Sequence, residues 1–279
     1  MYEVKLEYLM STFRSEKQKR QIPILLYPPL IEAIFELHWE LQGDKQTGRL
    51  RDPSYPMMYG RIYERLKKDF PHIEDLPSIQ VHPEASPYVV RHRIRKEKMG
   101  YPLIQIGPGI TTVNCAQGYS WDSFRGHILR LVESISDLFP TTVAPLNFTK
   151  CEIRFLNGIR LGTQGENPLD FLADKLHIKM DVDADLFLMN QMSDQPNAVN
   201  FMIGYPLRKP NGNLGLSAQL GQMDGKPAYL FQTQVISIGE WVPSDPREFE
   251  TWVAEAHSAS VGCFLSLCKG ALMDKFCGG

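Results

Sequence analysis

The sequence predicts an α+β protein in which one unit, with the element order β-α-β-β-β-α, occurs twice. Three observations lead to this prediction: strands with alternating apolar residues, amphipathic helices bounded by prolines, and the same order of elements in both halves of the chain. We expect the two units to form one curved antiparallel sheet with helices on one face. The first unit covers residues 30–145, the second covers residues 146–279, and residues 1–29 form an N-terminal extension.

The elements of the first unit follow from periodicity and from capping residues. Apolar residues alternate with polar ones along residues 31–41, which predicts a half-buried strand, whereas Ile62, Leu66 and Phe70 recur at helical spacing. Ser120 is a good N-cap for a long helix that Pro140 ends. The predicted elements are strands at residues 31–41, 79–82, 89–97 and 103–115, the last bent at Gly107-Pro108-Gly109, and helices at residues 59–70 and 120–139.

Tight turns organise the second unit. Asn211-Gly212 and Asp224-Gly225 are dipeptides that accept positive φ at both central positions of a hairpin turn, so they predict an antiparallel meander of three strands. Pro168 suits the first position of a helix. The predicted elements are strands at residues 148–161, 199–207, 214–221 and 226–238, and helices at residues 168–177 and 246–276.

The N-terminal extension combines an apolar helical pattern with a basic stretch. Leu6, Leu9, Met10 and Phe13 recur at helical spacing, and residues 14–20 are rich in Lys and Arg. This pattern fits either an arm that docks on another surface or a frayed terminus with a solvated charged face.

Composition excludes several classes of protein. The chain is 43% hydrophobic and 22% charged, which is typical of a folded globular protein, and its net charge of -2 is unlike that of a dedicated nucleic-acid binder. Five cysteines without C-x-x-C spacing, and the absence of a secretory signal, predict reduced thiols in a cytoplasmic protein. The sequence contains no run of 18 apolar residues, so we predict no membrane span.

Four segments resemble a sporadically distributed family of uncharacterised prokaryotic proteins. They are the stretch at residues 27–37 with its Pro-Pro-Leu-Ile-Glu-Ala motif, Gly118-Tyr-Ser-Trp-Asp-Ser-Phe, Ile153-Arg-Phe-Leu-Asn-Gly-Ile-Arg, and Ala256-His257 followed by Phe264. The resemblance implies no established activity, and the patchy occurrence of the family is similar to that of genes in defence or toxin-antitoxin systems. The duplicated layout is also similar to gyrase-inhibitor-like ligand sensors and to the TATA-binding-protein saddle. Within these segments we predict binding roles for Glu32, Arg154 and Asn157.

A stripe of arginines is a further candidate binding feature. Arg91, Arg93 and Arg95 alternate along one strand, so their side chains are predicted to share one face. They either bind an anion such as nucleic acid or pair with acidic neighbours such as Glu32, Glu36 and Glu40, and the near-neutral total charge favours pairing.

No catalytic or metal-binding constellation emerges, so we predict a protein that is not an enzyme and that needs no cofactor or metal. Glu32, Glu36, His38 and Glu40 share a strand face without a nucleophile beside them. The Asp181-Asp183-Asp185 run has Leu186 where a calcium loop needs Gly. His257 lies on the apolar stripe of the last helix, where a hydrogen-bonded core histidine is the usual role.

The leading hypothesis is therefore a binding or regulatory subunit that holds a protein partner in a prokaryotic defence or toxin-antitoxin system. One alternative is a nucleic-acid-binding saddle that uses the three arginines. Another is a sensor that holds an aromatic or cationic small molecule between the two units, near Trp39, Tyr205 and Tyr229. A homo-oligomer is compatible with each hypothesis, and none involves a membrane.

Overall fold

The protein has an α+β fold, seen in a computed structural model that describes residues 23–43, 48–161, 167–194 and 196–279. The N-terminal pattern at Leu6 to Phe13 lies outside the described residues. The strands are β1 (Leu30–Trp39), β2 (Gln42–Gly43), β3 (Leu50–Arg51), β4 (His72–Asp75), β5 (His92–Arg95), β6 (Leu103–Gly107), β7 (Ile110–Cys115), β8 (Phe148–Arg160), β9 (Asn200–Arg208), β10 (Asn211–Met223) and β11 (Lys226–Ile238). The helices are α1 (Tyr55–Leu66), α2 (Trp121–Leu138), α3 (Pro168–Lys175), α4 (Ala184–Asn190), α5 (Pro246–Leu267) and α6 (Ala271–Cys277).

Nine of these strands form one open antiparallel sheet, which confirms the predicted fold class. Their order is β4-β5-β6-β7-β1-β8-β11-β10-β9, and β2 pairs with β3 separately. The central strands β1 and β8 pair with each other, with Phe35 opposite Ile153. Outward from this pair, the sheet continues through β7, β6 and β5 on one side and through β11, β10 and β9 on the other. The order is thus alike on both sides, while the duplication itself stays a prediction.

One face of the sheet is covered by helices and holds the core. Along β1, Phe35 and Leu37 point towards the helices and are fully buried. The ring of Trp252 from α5 packs edge-on against Phe35 at a centroid distance of 6.4 Å. A second cluster forms beyond β8, where Phe171 of α3 stacks on Tyr229 of β11 at 4.9 Å. Alternation along the strands therefore separates an apolar helix-covered face from a polar open face.

Two of the strands predicted in the first half of the chain are different structures. Residues 79–82 are not a strand, because Pro77 starts a short 3-10 helix there, and the edge strand is β4 instead. Residues 103–115 are not one bent strand but the hairpin β6-β7. Pro108 lacks an N–H and Gly109 has φ of +74°, so these two residues reverse the chain.

The hairpin turns of the second half are only partly as predicted. The turn at Asp224-Gly225 is confirmed, with φ of +52° and +71°. The prediction of a turn at Asn211-Gly212 is wrong, because Lys209 and Pro210 connect β9 to β10 and Gly212 lies within β10. Glycine is needed there for close approach, since a Cβ atom would lie 2.2 Å from the carbonyl oxygen of Ile236.

The helices of the second half also depart from the prediction. The last helix is not continuous to residue 276, because the chain turns at Gly270, with φ of +79°, and resumes as α6. The short helix α4 has no counterpart in the predicted order, and none of its residues is buried. No helix in the described part of the chain combines the length and the apolar character that crossing a membrane requires.

Candidate ligand pocket

The arginine stripe lies on the open face of the sheet, and two of its members are paired with acid. Arg95 Nε lies 3.0 Å from Glu74 Oε2, and Arg93 Nη1 lies 3.4 Å from the same oxygen. Arg93 also donates to Gln105 Oε1 at 3.2 Å through Nη2. Pairing with acidic neighbours is therefore confirmed for these two arginines, although their partner is Glu74 on β4 rather than the glutamates of β1.

Arg91 does not continue this stripe. It precedes β5, and only 4% of its surface is exposed. Its guanidinium donates to the carbonyl oxygen of Ile79 at 2.7 Å and to the hydroxyl of Ser86 at 3.4 Å. Arg91 thus holds the loop between β4 and β5, and the expectation of three arginines on one open face is wrong. These contacts give the nucleic-acid alternative no support.

Glu36 of β1 pairs with β8 instead of with β5. Glu36 lies 3.1 Å from Arg154 Nη2 and 2.7 Å from Lys150 Nζ. Glu152, buried to 2% of its surface, contacts the same two cations at 2.9 and 2.7 Å. Burial would raise the pKa of Glu36, but hydrogen bonds from His38 and Lys150 outweigh burial and lower the pKa to about 2. The predicted site residue Arg154 is therefore part of a neutralised cluster.

Glu32, another predicted site residue, is also engaged on the open face. Its Oε1 accepts a hydrogen bond of 2.9 Å from Asn114 Nδ2. Asn157, in contrast, lies on the helix-covered face of β8, opposite Phe231 of β11. The structure therefore separates Asn157 from the other predicted site residues and places it in a pocket between the sheet and α5.

This pocket is a cavity of about 310 Å³ on the helix-covered side, and its wall is mostly apolar. The segment before β1, the start of α2, the strands β8 and β11, and the helix α5 all contribute to it. Its lining residues are Pro23, Leu25, Pro28, Pro29, Leu30, Tyr119, Trp121, Phe155, Asn157, Thr233, His257, Ser260, Val261, Phe264 and Leu265. A cavity of this size lies at the lower end of the range of small-molecule sites.

Aromatic rings form much of the wall. The imidazole of His257 stacks on the indole of Trp121, with ring centroids 3.6 Å apart and planes 6° apart. Phe155 meets His257 at 5.9 Å and Tyr119 edge-on at 6.2 Å. Because Trp121 belongs to α2 and His257 to α5, the stack joins the two halves of the chain at the pocket.

The pocket also contains polar groups. Ser260, 2% exposed, has a buried hydroxyl oxygen without a hydrogen-bond partner among the described residues. Asn157 Nδ2 donates to the carbonyl oxygen of Phe155 at 3.3 Å, which uses one of its two amide hydrogens. Thr233 is diagonal to Asn157 on the neighbouring strand and faces the same side of the sheet. Hydrogen-bonding side chains thus line both the sheet wall and the helix wall.

The ionisable groups of the pocket are uncharged at neutral pH. Burial lowers the pKa of His257 to about 4, so the imidazole is neutral. Burial likewise raises the pKa of Tyr119 well above its ordinary value. Among the described residues that line the pocket, none is Asp, Glu, Lys or Arg. The described wall therefore presents only neutral groups.

Two backbone hydrogen bonds hold the segment that closes one side of the pocket. Tyr27 N donates to the carbonyl oxygen of Phe276 at 2.9 Å, and Gly158 N donates to that of Pro29 at 2.9 Å. Pro23, Pro28 and Pro29 restrict the backbone of this segment. The segment thus has a defined path along β8 and α6.

Sequence reasoning missed the pocket, although it had singled out several of its residues. His257 was predicted as a hydrogen-bonded core residue, but the structure shows a ring stacked on Trp121 at the pocket wall. Trp39, Tyr205 and Tyr229, predicted to lie near a ligand, do not line it. Trp39 and Tyr229 are fully buried, and Tyr205 lies on the edge strand β9.

A signal for the pocket was nevertheless present in the sequence. Each of the four segments that carry the family resemblance contributes side chains to the wall: Pro28, Pro29 and Leu30 from the first, Tyr119 and Trp121 from the second, Phe155 and Asn157 from the third, and His257 and Phe264 from the fourth. These segments are far apart in the chain, so only the fold shows that they converge.

No family model matches the chain, and no curated protein matches it. The resemblance to a prokaryotic family therefore stays a prediction. Within the described ranges, no group of three or more His, Cys, Asp or Glu side chains is placed to hold a metal ion.

Proposed function

We propose that this chain is a non-catalytic binding protein that holds a largely apolar small molecule in the pocket between β8, β11 and α5. One observation carries the proposal: four segments distant in sequence converge on a single apolar cavity of about 310 Å³. The geometry thus supports the small-molecule alternative more than the nucleic-acid saddle, because the arginines proposed to bind nucleic acid are engaged with other groups of this chain.

The cavity has the features of a binding site rather than of a packing defect. Voids in protein interiors are usually small, because side chains interdigitate at crystal-like density. Here the surrounding residues are large and rigid, including the stacked pair of Trp121 and His257. A ligand in the cavity would contact Trp121 from the first half and His257 from the second, so binding would add contacts across the junction of the two halves.

The test is equilibrium dialysis of the full chain against naphthalene, a neutral apolar probe that a cavity of this size admits. Val261 lines the pocket, so Val261→Phe fills part of the cavity and should abolish binding. Val143 is 41% exposed and outside the pocket, so Val143→Phe is the matched control and should bind as the wild type does. Absence of binding to the wild type, or equal binding by both variants, would refute the proposal.

A second candidate function, the binding of a protein partner, is favoured by helix α4. Its Leu188 and Met189 are 77% and 79% exposed, and Asp183 and Asp185 stand at its N-terminal end. Exposed methionine and leucine side chains adapt to apolar partner surfaces. A partner that fits would be apolar with basic residues at its rim. The partner's place in a defence or toxin-antitoxin system is proposed from the family resemblance.

The protein-partner candidate is tested by native mass spectrometry after co-expression with the flanking genes. A second polypeptide that is lost in Leu188→Asp but retained in the exposed control Met99→Asp would support it. Retention of the partner in both variants would place the contact elsewhere, and a chain that carries no second polypeptide would argue against this function.

A further inference from the structure

We propose that the ligand of this pocket is an uncharged aromatic molecule with a hydrogen-bonding substituent that Ser260 recognises. This inference rests on the proposed function and adds the chemical class of the ligand. Three properties of the wall, as far as the described residues form it, lead to this inference: the absence of charged side chains, the arrangement of aromatic rings, and the buried hydroxyl of Ser260, which has no partner among those residues.

The lack of charged side chains in the described wall disfavours anionic ligands. No Asp, Glu, Lys or Arg among the described residues lines the cavity, so a carboxylate that entered would lose its hydration without gaining a counter-ion. His257 is the lining residue that could supply a positive charge, but burial lowers its pKa and keeps its imidazole neutral. The pocket therefore discriminates against carboxylates, and an ammonium group would find aromatic faces but no counter-ion there.

The rings of the wall favour a planar ligand. His257 and Trp121 form one nearly parallel stack, and Phe155 and Tyr119 stand at steep angles to each other. Aromatic ligands gain from stacked and edge-on contacts beyond the area that they bury. An aliphatic chain of equal size would bury similar area without that geometric gain.

Ser260 supplies the polar contact. A buried hydroxyl that makes no hydrogen bond is unfavourable, and a partner atom on the ligand removes this cost. Serine has a short side chain that moves between staggered positions about its Cα–Cβ bond, so the hydroxyl can turn towards a bound molecule. Asn157 and Thr233 on the sheet wall offer further hydrogen-bonding groups to the same ligand.

The experiment compares three probes of nearly equal shape on the full chain at pH 7, by equilibrium dialysis. The probes are naphthalene, 2-naphthol, which adds one neutral hydroxyl, and 2-naphthoate, which adds a charge. We expect 2-naphthol to bind about tenfold more tightly than naphthalene, which corresponds to about 1.4 kcal/mol and is typical of one hydrogen bond. We expect 2-naphthoate to bind more weakly than naphthalene.

Variants then identify the group that recognises the substituent. Ser260→Ala should remove the tenfold preference for 2-naphthol over naphthalene, because alanine lacks the hydroxyl that bonds to the substituent. Ser266→Ala is the matched control, since Ser266 lies on the same helix, is exposed, and bonds to the carbonyl oxygen of Gly262. The control should retain the preference. Binding of naphthalene by Ser260→Ala also shows that this variant is folded.

The outcomes separate this inference from the proposed function. Three results would overturn the ligand class: equal binding of naphthalene and 2-naphthol, tightest binding of 2-naphthoate, or a preference for 2-naphthol that survives in Ser260→Ala. In each case, binding of naphthalene would still support the proposed pocket. Failure of every probe to bind would overturn the proposed function, and the ligand class with it.

Discussion

The neutral state of His257 makes a quantitative prediction about stability and pH. Burial lowers its pKa from 6.5 to about 4 in the folded chain. Between these values the unfolded chain binds a proton at this position and the folded chain does not, so stability falls as the pH falls. With 1.36 kcal/mol per pKa unit, lowering the pH from 7 to 5 removes about 2 kcal/mol from the free energy of unfolding through this group.

The perturbation is His257→Phe, which keeps a ring against Trp121 and removes the titration. Urea unfolding at pH 7 and at pH 5, followed by tryptophan fluorescence, gives the free energies for wild type and variant. Between pH 7 and pH 5, we expect the free energy of unfolding to fall by about 2 kcal/mol more in the wild type than in the variant, because all other titrating groups are common to both. Val143→Phe provides a control, since this exposed residue carries no titrating group and its replacement should leave the wild-type dependence intact. Equal losses in wild type and His257→Phe would refute the neutral buried imidazole.

Two further predictions concern stability at neutral pH and are checked by the same unfolding measurement. Gly107→Ala should lower the free energy of unfolding by about 3 kcal/mol, because the new Cβ would lie 2.1 Å from the carbonyl oxygen of Val89. Gly60→Ala is the control, since Gly60 is exposed on α1 and a Cβ there would meet nothing within 4 Å. That variant should stabilise the protein by up to about 1 kcal/mol. A small effect of Gly107→Ala on the free energy of unfolding would contradict the close approach of β6 to the segment that precedes β5. Asp52→Ala should cost about 3 kcal/mol, because the Asp52 carboxylate accepts a 2.8 Å hydrogen bond from Nε1 of the fully buried Trp39, and Asp52→Asn should recover part of that loss. Equal stability of Asp52→Ala and wild type would contradict this role.

Much of the fold was predictable because its signals are local. Alternation along residues 31–41 and the cap at Ser120 predict β1 and α2, and Ser120 Oγ accepts from Ser123 N as a cap does. The misassigned turn at Gly212 has a non-local cause, since the glycine accommodates the carbonyl oxygen of Ile236 on the neighbouring strand. A dipeptide pattern does not distinguish a glycine that turns the chain from one that lets two strands approach closely.

The candidate site was less predictable because its residues come together only in three dimensions. Periodicity assigned His257 correctly to an apolar helix stripe, but the neighbouring indole of Trp121 lies on another helix. Charge patterning suggested a binding role for Arg91, whereas its burial against the preceding loop gives it a structural role. The face on which a strand residue lies can be predicted from alternation, but the cavity between helix and sheet depends on how both pack.

A crystal structure of the full chain grown with 2-naphthol is the most direct test of the ligand pocket. We expect a planar ligand between the β8–β11 wall and α5, in contact with His257 and with its hydroxyl about 2.7–2.8 Å from Ser260 Oγ. Density for the ligand at another surface, or an empty cavity at saturating 2-naphthol, would show that this cavity is not the binding site.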